Sequence, residues 1–115
     1  MNFEKLEVWK RSARLSAELY KATADLRDYG FRDQLTRSGL SVPSNIAEGM
    51  TRTSTKEKIR FLDIARSSLA EARTQIYIGI DIGYLPSIEG KAWLEETHHI
   101  SMMLTGLIKT IAVNE

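Results

Sequence analysis

Apolar residues recur along the chain at three- and four-residue spacing in four long stretches, separated by short clusters of Gly, Pro, Asp and Ser. That is the period of a helix with one buried face; a strand would alternate at every second position. The first stretch runs from about Glu4 to Leu26. Leu6, Trp9, Ala13, Ala17 and Tyr20 form its stripe, and Leu15, Leu19 and Leu26 widen it. Asp28, Tyr29 and Gly30 break it. The second runs from about Phe31 to Met50, with Leu35, Gly39, Val42, Ile46 and Met50 near one face. Pro43 lies inside it, where it removes the N–H that would bond the Gly39 carbonyl and crowds that turn. The apolar register continues through Ile46 and Ala47, which favours one kinked helix over two short helices around a break; a flexible loop is a third reading. Ser38, Gly39, Ser41, Ser44, Ala47 and Gly49 are all small and would let a neighbouring backbone come close.

The third stretch is the most regular. Ser54 and Glu57 have the spacing of a capping box, in which each side chain reaches the other residue's N–H. Ile59, Leu62, Ala65, Leu69, Ala72, Ile76 and Ile80 then hold one face until Gly83 and Pro86 end the helix. The fourth runs from about Ser87 to Val113, with Trp93, Ile100, Leu104, Leu107 and Ile111 at near-heptad spacing and Thr97 as a polar interruption. Links of about 3–6 residues force consecutive helices to lie antiparallel. The predicted fold is a single all-α domain over residues 1–115: an antiparallel up-down-up-down four-helix bundle, kinked in its second helix at Pro43.

The third helix has a second face. Ile64 and Ile78 lie nearly opposite its core stripe, with Ser67 and Glu71 between them. The outer face of a monomeric bundle should be polar. These four residues, together with the small-residue second helix, predict a subunit contact; scattered exposed apolar residues are the ordinary alternative. Arg66 and Arg73 pose the converse problem, falling near the apolar stripe. Their heads need a partner such as Glu48, or must reach the edge of the core.

Length and composition narrow the class without giving the function. The chain has 115 residues, 43% apolar and 27% charged, with no Cys. That suffices for one core without staples and excludes disulfides, cysteine-ligated zinc and thiolate chemistry. The charged start, MNFEKLEVWK, is unlike a signal peptide, so a cytoplasmic protein is expected. Net charge is only +1, but residues 1–80 carry 14 basic and 10 acidic side chains, and residues 81–115 carry 2 and 5. A basic surface can therefore form on a near-neutral molecule. Arg52, Lys56 and Arg60 make one candidate stripe, and Lys10, Arg14 and Lys21, with Arg11 beside them, make another. Such stripes suit phosphates, with strong salt dependence; a solvated helix face is the plain alternative.

Chemistry is hard to find. His98 and His99 are adjacent, so they point about 100° apart on a helix and cannot share a metal as i, i+4 histidines do. Glu95 and His98 have the Glu-x-x-His spacing of di-iron bundles, but a second such motif is missing. There is no Gly-rich phosphate loop, nucleophile elbow or zinc-protease motif. The expectation is a non-enzymatic protein without metal or other cofactor.

Specific words then add to this reading: FEKLEVWK (Phe3–Lys10), YGFRDQLTRSG (Tyr29–Gly39), SVPSNIAEG (Ser41–Gly49), RFLDIARSSLAEARTQ (Arg60–Gln75) and GYL (Gly83–Leu85). In content and order they resemble the bacterial four-helix-bundle proteins encoded in intervening sequences of 23S ribosomal RNA. The resemblance implies a ring-like homopentamer. It also implies a distant relation to the accessory protein of diversity-generating retroelements, which works with a reverse transcriptase and binds nucleic acid through a basic surface. A second copy of the chain, RNA or DNA, and a reverse transcriptase are the partners it implies. Asn45, Glu48 and Glu71 coincide with the family words and are read as packing or contact residues. Two functions stay open: a homo-oligomer, pentameric on the resemblance, that binds RNA or DNA through basic helix faces, and an oligomeric scaffold for a protein partner without nucleic-acid binding.

Overall fold

The computed structural model describes residues 2–114. A short 3₁₀ turn, Phe3–Lys5, precedes four helices: α1 (Glu7–Ala22), α2 (Tyr29–Met50), α3 (Thr55–Asp81) and α4 (Ser87–Val113). At about 1.5 Å per residue the two longest helices extend about 40 Å, which accounts for a molecule of 46 × 21 × 21 Å. The helices pack in the cyclic order α1, α2, α3, α4, so α1 and α3 lie on one diagonal and α2 and α4 on the other. Cross-helix bonds give the register. Ser38 Oγ donates to Gln75 Oε1 at 2.7 Å, and Ser41 Oγ lies 2.9 Å from Ser68 Oγ, so numbers rise along α2 as they fall along α3. Arg66 with Thr105 and Arg73 with Thr97 show the same reversal between α3 and α4.

The core draws on all four helices: Leu19 from α1, Leu35 and Ile46 from α2, Leu62 and Ile76 from α3, and Ile100 and Leu104 from α4 are fully buried. Each such side chain contributes roughly 1.5–3 kcal/mol relative to exposure. The expected faces of α2 and α3 hold closely: Leu35, Gly39, Val42, Ile46 and Met50 are buried, as are Leu62, Ala65, Leu69, Ala72 and Ile76, with Ile59 and Ile80 only partly covered.

Three expectations are corrected. The α1 stripe is rotated. Val8, Ser12, Leu15, Ser16 and Leu19 face the core, while Ala17 and Tyr20 are exposed and Leu6, Trp9 and Ala13 lie between. Helix α1 also stops at Ala22, leaving Leu26 outside it: beyond Thr23 the Ala24 and Leu26 N–H groups bond the carbonyls of Lys21 and Thr23, three residues back in place of four. Asp28, Tyr29 and Gly30 are a start rather than a break. Asp28 Oδ1 accepts the Phe31 N–H at 3.1 Å and caps α2, whose first two residues are Tyr29 and Gly30. Helix α2 agrees with the favoured reading, running as one helix through Pro43, which sets aside both the break and the loop.

The ends of α3 follow the sequence more closely. Ser54 Oγ accepts the Glu57 N–H at 3.1 Å. The Glu57 carboxylate does not complete the capping box, because it takes Arg60 instead. At the other end Gly83 adopts φ +82°, and the Gly83 and Tyr84 N–H groups return to Ile80 and Gly79. This is a Schellman ending that a side chain at the left-handed position would strain.

Candidate functional site

The basic residues of the sequence form two separate surfaces. At the corner where α2 turns into α3, residues 52–60 hold Arg52, Lys56, Lys58 and Arg60 against the single acid Glu57. Arg52 precedes the first helical residue of α3, so the three residues are not one helical stripe. An aromatic ring gathers two of them: the Arg52 and Arg60 guanidinium carbons lie 4.7 and 4.5 Å from the Phe61 ring centre. Gly49 permits this corner. A Cβ there would fall 2.9 Å from Phe61 Cβ and 3.2 Å from the Lys58 carbonyl. Arg60 reaches Glu57 at 3.0 Å and Arg52 reaches Glu48 at 3.9 Å, and all four side chains are well exposed. The Arg60 hydrogen bonds hold the Glu57 carboxyl below its ordinary range. Exposed pairs of this kind are weak and screened by salt, so their cations stay available to other anions.

The α1 set lies across the bundle, on the diagonal from α3. Lys10, Arg14 and Lys21 are exposed, with Lys10 3.7 Å from Glu7. Arg11 is committed elsewhere. Its Nε and Nη2 donate to the two Glu96 oxygens of α4 at 3.0 and 2.5 Å. These hydrogen bonds push the Glu96 carboxyl below the usual carboxylate range, against the opposing effect of partial burial.

Ile64 and Ile78 are 37% and 48% exposed on the outer side of α3, and Ser67 and Glu71 are open beside them. Four of the six small residues of α2, in contrast, serve the inside of the bundle, while Ser44 is exposed and Ala47 half-buried. Gly39 faces Leu19 and the Ser16 backbone, Gly49 faces α3, and Ser38 and Ser41 bond to α3. Those four are accounted for by packing within the chain, so the isoleucine face is the stronger ground for the expected subunit contact. Asn45 Nδ2 donates to the Ser41 carbonyl and hydroxyl at 2.8 and 2.9 Å, a role internal to α2.

Arg66 and Arg73 do not use Glu48. Arg66 pairs with Asp63 on its own helix and donates to Thr105 Oγ1 at 3.2 Å. Arg73 is held by neutral acceptors: the Leu94 carbonyl at 2.5 Å, Thr97 Oγ1 at 2.8 Å and Tyr77 Oη at 3.2 Å. Thr97, the polar interruption in α4, is thus the buried acceptor for an arginine. Glu96 faces Arg11, and among the described residues no three acids or histidines converge as a metal site would require. No helix among them is long and apolar enough to cross a membrane.

One surface went unread in the sequence. The run Ile100–Val113 carries a single charge, Lys109. Its inner residues Ile100 and Leu104 are buried, but Met102 and Val113 are 60% and 80% exposed, and Gly106 faces open space. The low charge of this run was the available signal.

A family model for the 23S rRNA-intervening sequence protein matches residues 4–106. Among solved structures, a protein of unknown function from the S23 ribosomal protein family of Bacteroides thetaiotaomicron VPI-5482 superposes with a TM-score of 0.82. It is 23% identical, over 89% of this chain and 98% of that one, a likeness that speaks for the fold. No curated protein matches the chain.

Proposed function

The chain belongs to the 23S rRNA-intervening sequence protein family, and from that premise we propose that it is a non-enzymatic, self-associating helical bundle that holds RNA by its phosphates. The observation that carries this reading is the α2–α3 corner, where Arg52 and Arg60 converge on Phe61 and Lys56 lies open beside them. Phosphate recognition needs clustered, displaceable cations rather than a groove-reading motif. The α1 cations Lys10, Arg14 and Lys21 are a weaker, more dispersed surface. Copies associate through the α3 face of Ile64, Ser67, Glu71 and Ile78, in a pentameric ring on the family resemblance. Such a ring would repeat the basic corner and raise avidity for a long polyanion.

Anisotropy of a labelled structured RNA at two salt concentrations tests this. Binding should fall steeply with salt. Replacing Arg52, Lys56 and Arg60 by Gln should flatten the log–log slope by about one per lost phosphate contact. No binding at low salt, or an unchanged slope in the triple variant, would count against the corner. The apolar half of α4 favours a second reading, a scaffold for a protein partner without RNA; absent RNA binding, that reading stands.

A further inference from the structure

Between α3 and α4 lies a cavity of about 160 Å³, lined by Arg66, Arg73, Thr97, His98 and Ser101 together with Leu69 and Ala70. No carboxylate is among the lining residues. Arg73 is half-buried and joins no ion pair among the described residues. A guanidinium has five N–H donors. The Leu94 carbonyl and Thr97 Oγ1 take both hydrogens of Nη1, and Tyr77 Oη takes one of Nη2. The Nε–H and one Nη2–H have no partner among the described hydrogen bonds and remain able to donate to an anion. Arg66 adds a second positive charge, offset by Asp63 on the outer side. His98 and the Ser101 hydroxyl, which has no partner among the described hydrogen bonds, line the cavity beside the two arginines. We propose that this cavity is a binding site for a single phosphate group, either inorganic phosphate or a phosphate monoester.

Three observations carry the assignment together: one guanidinium without a counter-charge, fixed in place by three neutral acceptors; a second cation two turns away on the same helix; and the absence of any acid in the lining. A half-buried charge without a counter-charge is costly, and an oxyanion supplies one. The volume sets the size of the ligand, being below the roughly 300–1,000 Å³ of sites that enclose drug-sized molecules. The cavity therefore takes the phosphate and leaves the rest of an ester outside. It is separate from the α2–α3 corner and does not depend on the RNA reading.

Calorimetric titration of inorganic phosphate into the intact protein, in a chloride buffer of low ionic strength, tests the site. Saturable binding at one phosphate per chain is expected. Arg73→Gln should weaken it about tenfold by removing a charged donor. Ser101→Glu, at a partly exposed position, should abolish it by placing a carboxylate in the cavity, and it carries the test if Arg73→Gln fails to fold. Arg27→Gln, at an exposed position outside both basic surfaces, should leave it within about twofold of the unaltered protein, since distant sites act independently. Competition by a 5′-phosphorylated oligoribonucleotide but not its 5′-hydroxyl form would assign the site to a nucleic-acid end, and no competition by either would assign it to a free small phosphate. No saturation at millimolar phosphate, unaltered affinity in both cavity variants, or an equal loss in Arg27→Gln would overturn the proposal.

Discussion

Arg11 and Glu96 fix the first helix to the last by two parallel hydrogen bonds at 3.0 and 2.5 Å. Because Arg11 holds the Glu96 carboxyl below its ordinary value, the pair stabilises the fold above the unfolded carboxyl pKa near about 4.3. The contribution is lost as pH falls through the lower folded value. Glu96→Gln should therefore cost about 1 kcal/mol at pH 7, the upper end for a partly screened pair. Urea unfolding at pH 7 and at pH 3 measures this. The gap between the two proteins should be wider at neutrality than in acid; an equal gap at both would show that the pair acts through packing alone. In the sequence Arg11 reads as one more cation beside a stripe, because its partner is 85 residues away. The same limit hides the use of Thr97. A polar break in an apolar stripe is visible, but the arginine it accepts comes from another helix. Local features fare better, as the Ser54 cap does, since both of its atoms lie within one turn.

At the scale of the helix, apolar spacing locates α2, α3 and α4 and their inner faces, and misplaces the face of α1. Two serines account for the error. Ser12 and Ser16 are buried, with the Ser12 hydroxyl returned to the Trp9 carbonyl at 3.0 Å. Ser16 sits where α2 comes closest, its Cα 3.9 Å from where a Cβ on Gly39 would lie. A pattern that counts serine as polar turns the stripe toward Trp9, Ala13 and Tyr20, which are apolar but sit at the rim. Trp9 instead packs edge-on against Phe3 at 5.3 Å, over a groove shared with Pro43 and Ala47. Close approach also decides the sign of a substitution at Gly49. In an open helix, Gly→Ala gains roughly 0.5–1 kcal/mol. At Gly49 the added Cβ meets Phe61 Cβ at 2.9 Å and backbone at 3.2 Å, and overpacking of that kind costs about 1–3 kcal/mol. Gly49→Ala should thus lower the denaturant midpoint; a raised midpoint would show that α2 and α3 can part without loss at this corner.

The whole molecule is a rod of 46 × 21 × 21 Å whose faces differ in character. The diagonal placement of α1 and α3 separates the two sets of cations that the sequence could only count. A net charge of +1 conceals a corner with four basic residues and one acid within residues 52–60. Apolar surface remains outside the core on the outer side of α3 and along the end of α4. The isoleucine face was legible because the core stripe of α3 is regular enough to define its opposite. The α4 surface was not, because residues such as Leu107 and Ile111 are half-buried and fit the same heptad as the core. Self-association through α3 is the claim on which the assembled RNA-binding surface rests. Light scattering after gel filtration, at micromolar protein, tests it most directly when the unaltered chain is compared with an Ile64→Glu, Ile78→Glu double variant. The unaltered chain should elute at a multiple of 13.0 kDa, five copies on the family resemblance, and the variant as a helical single chain. An unaltered protein of 13.0 kDa would contradict the account.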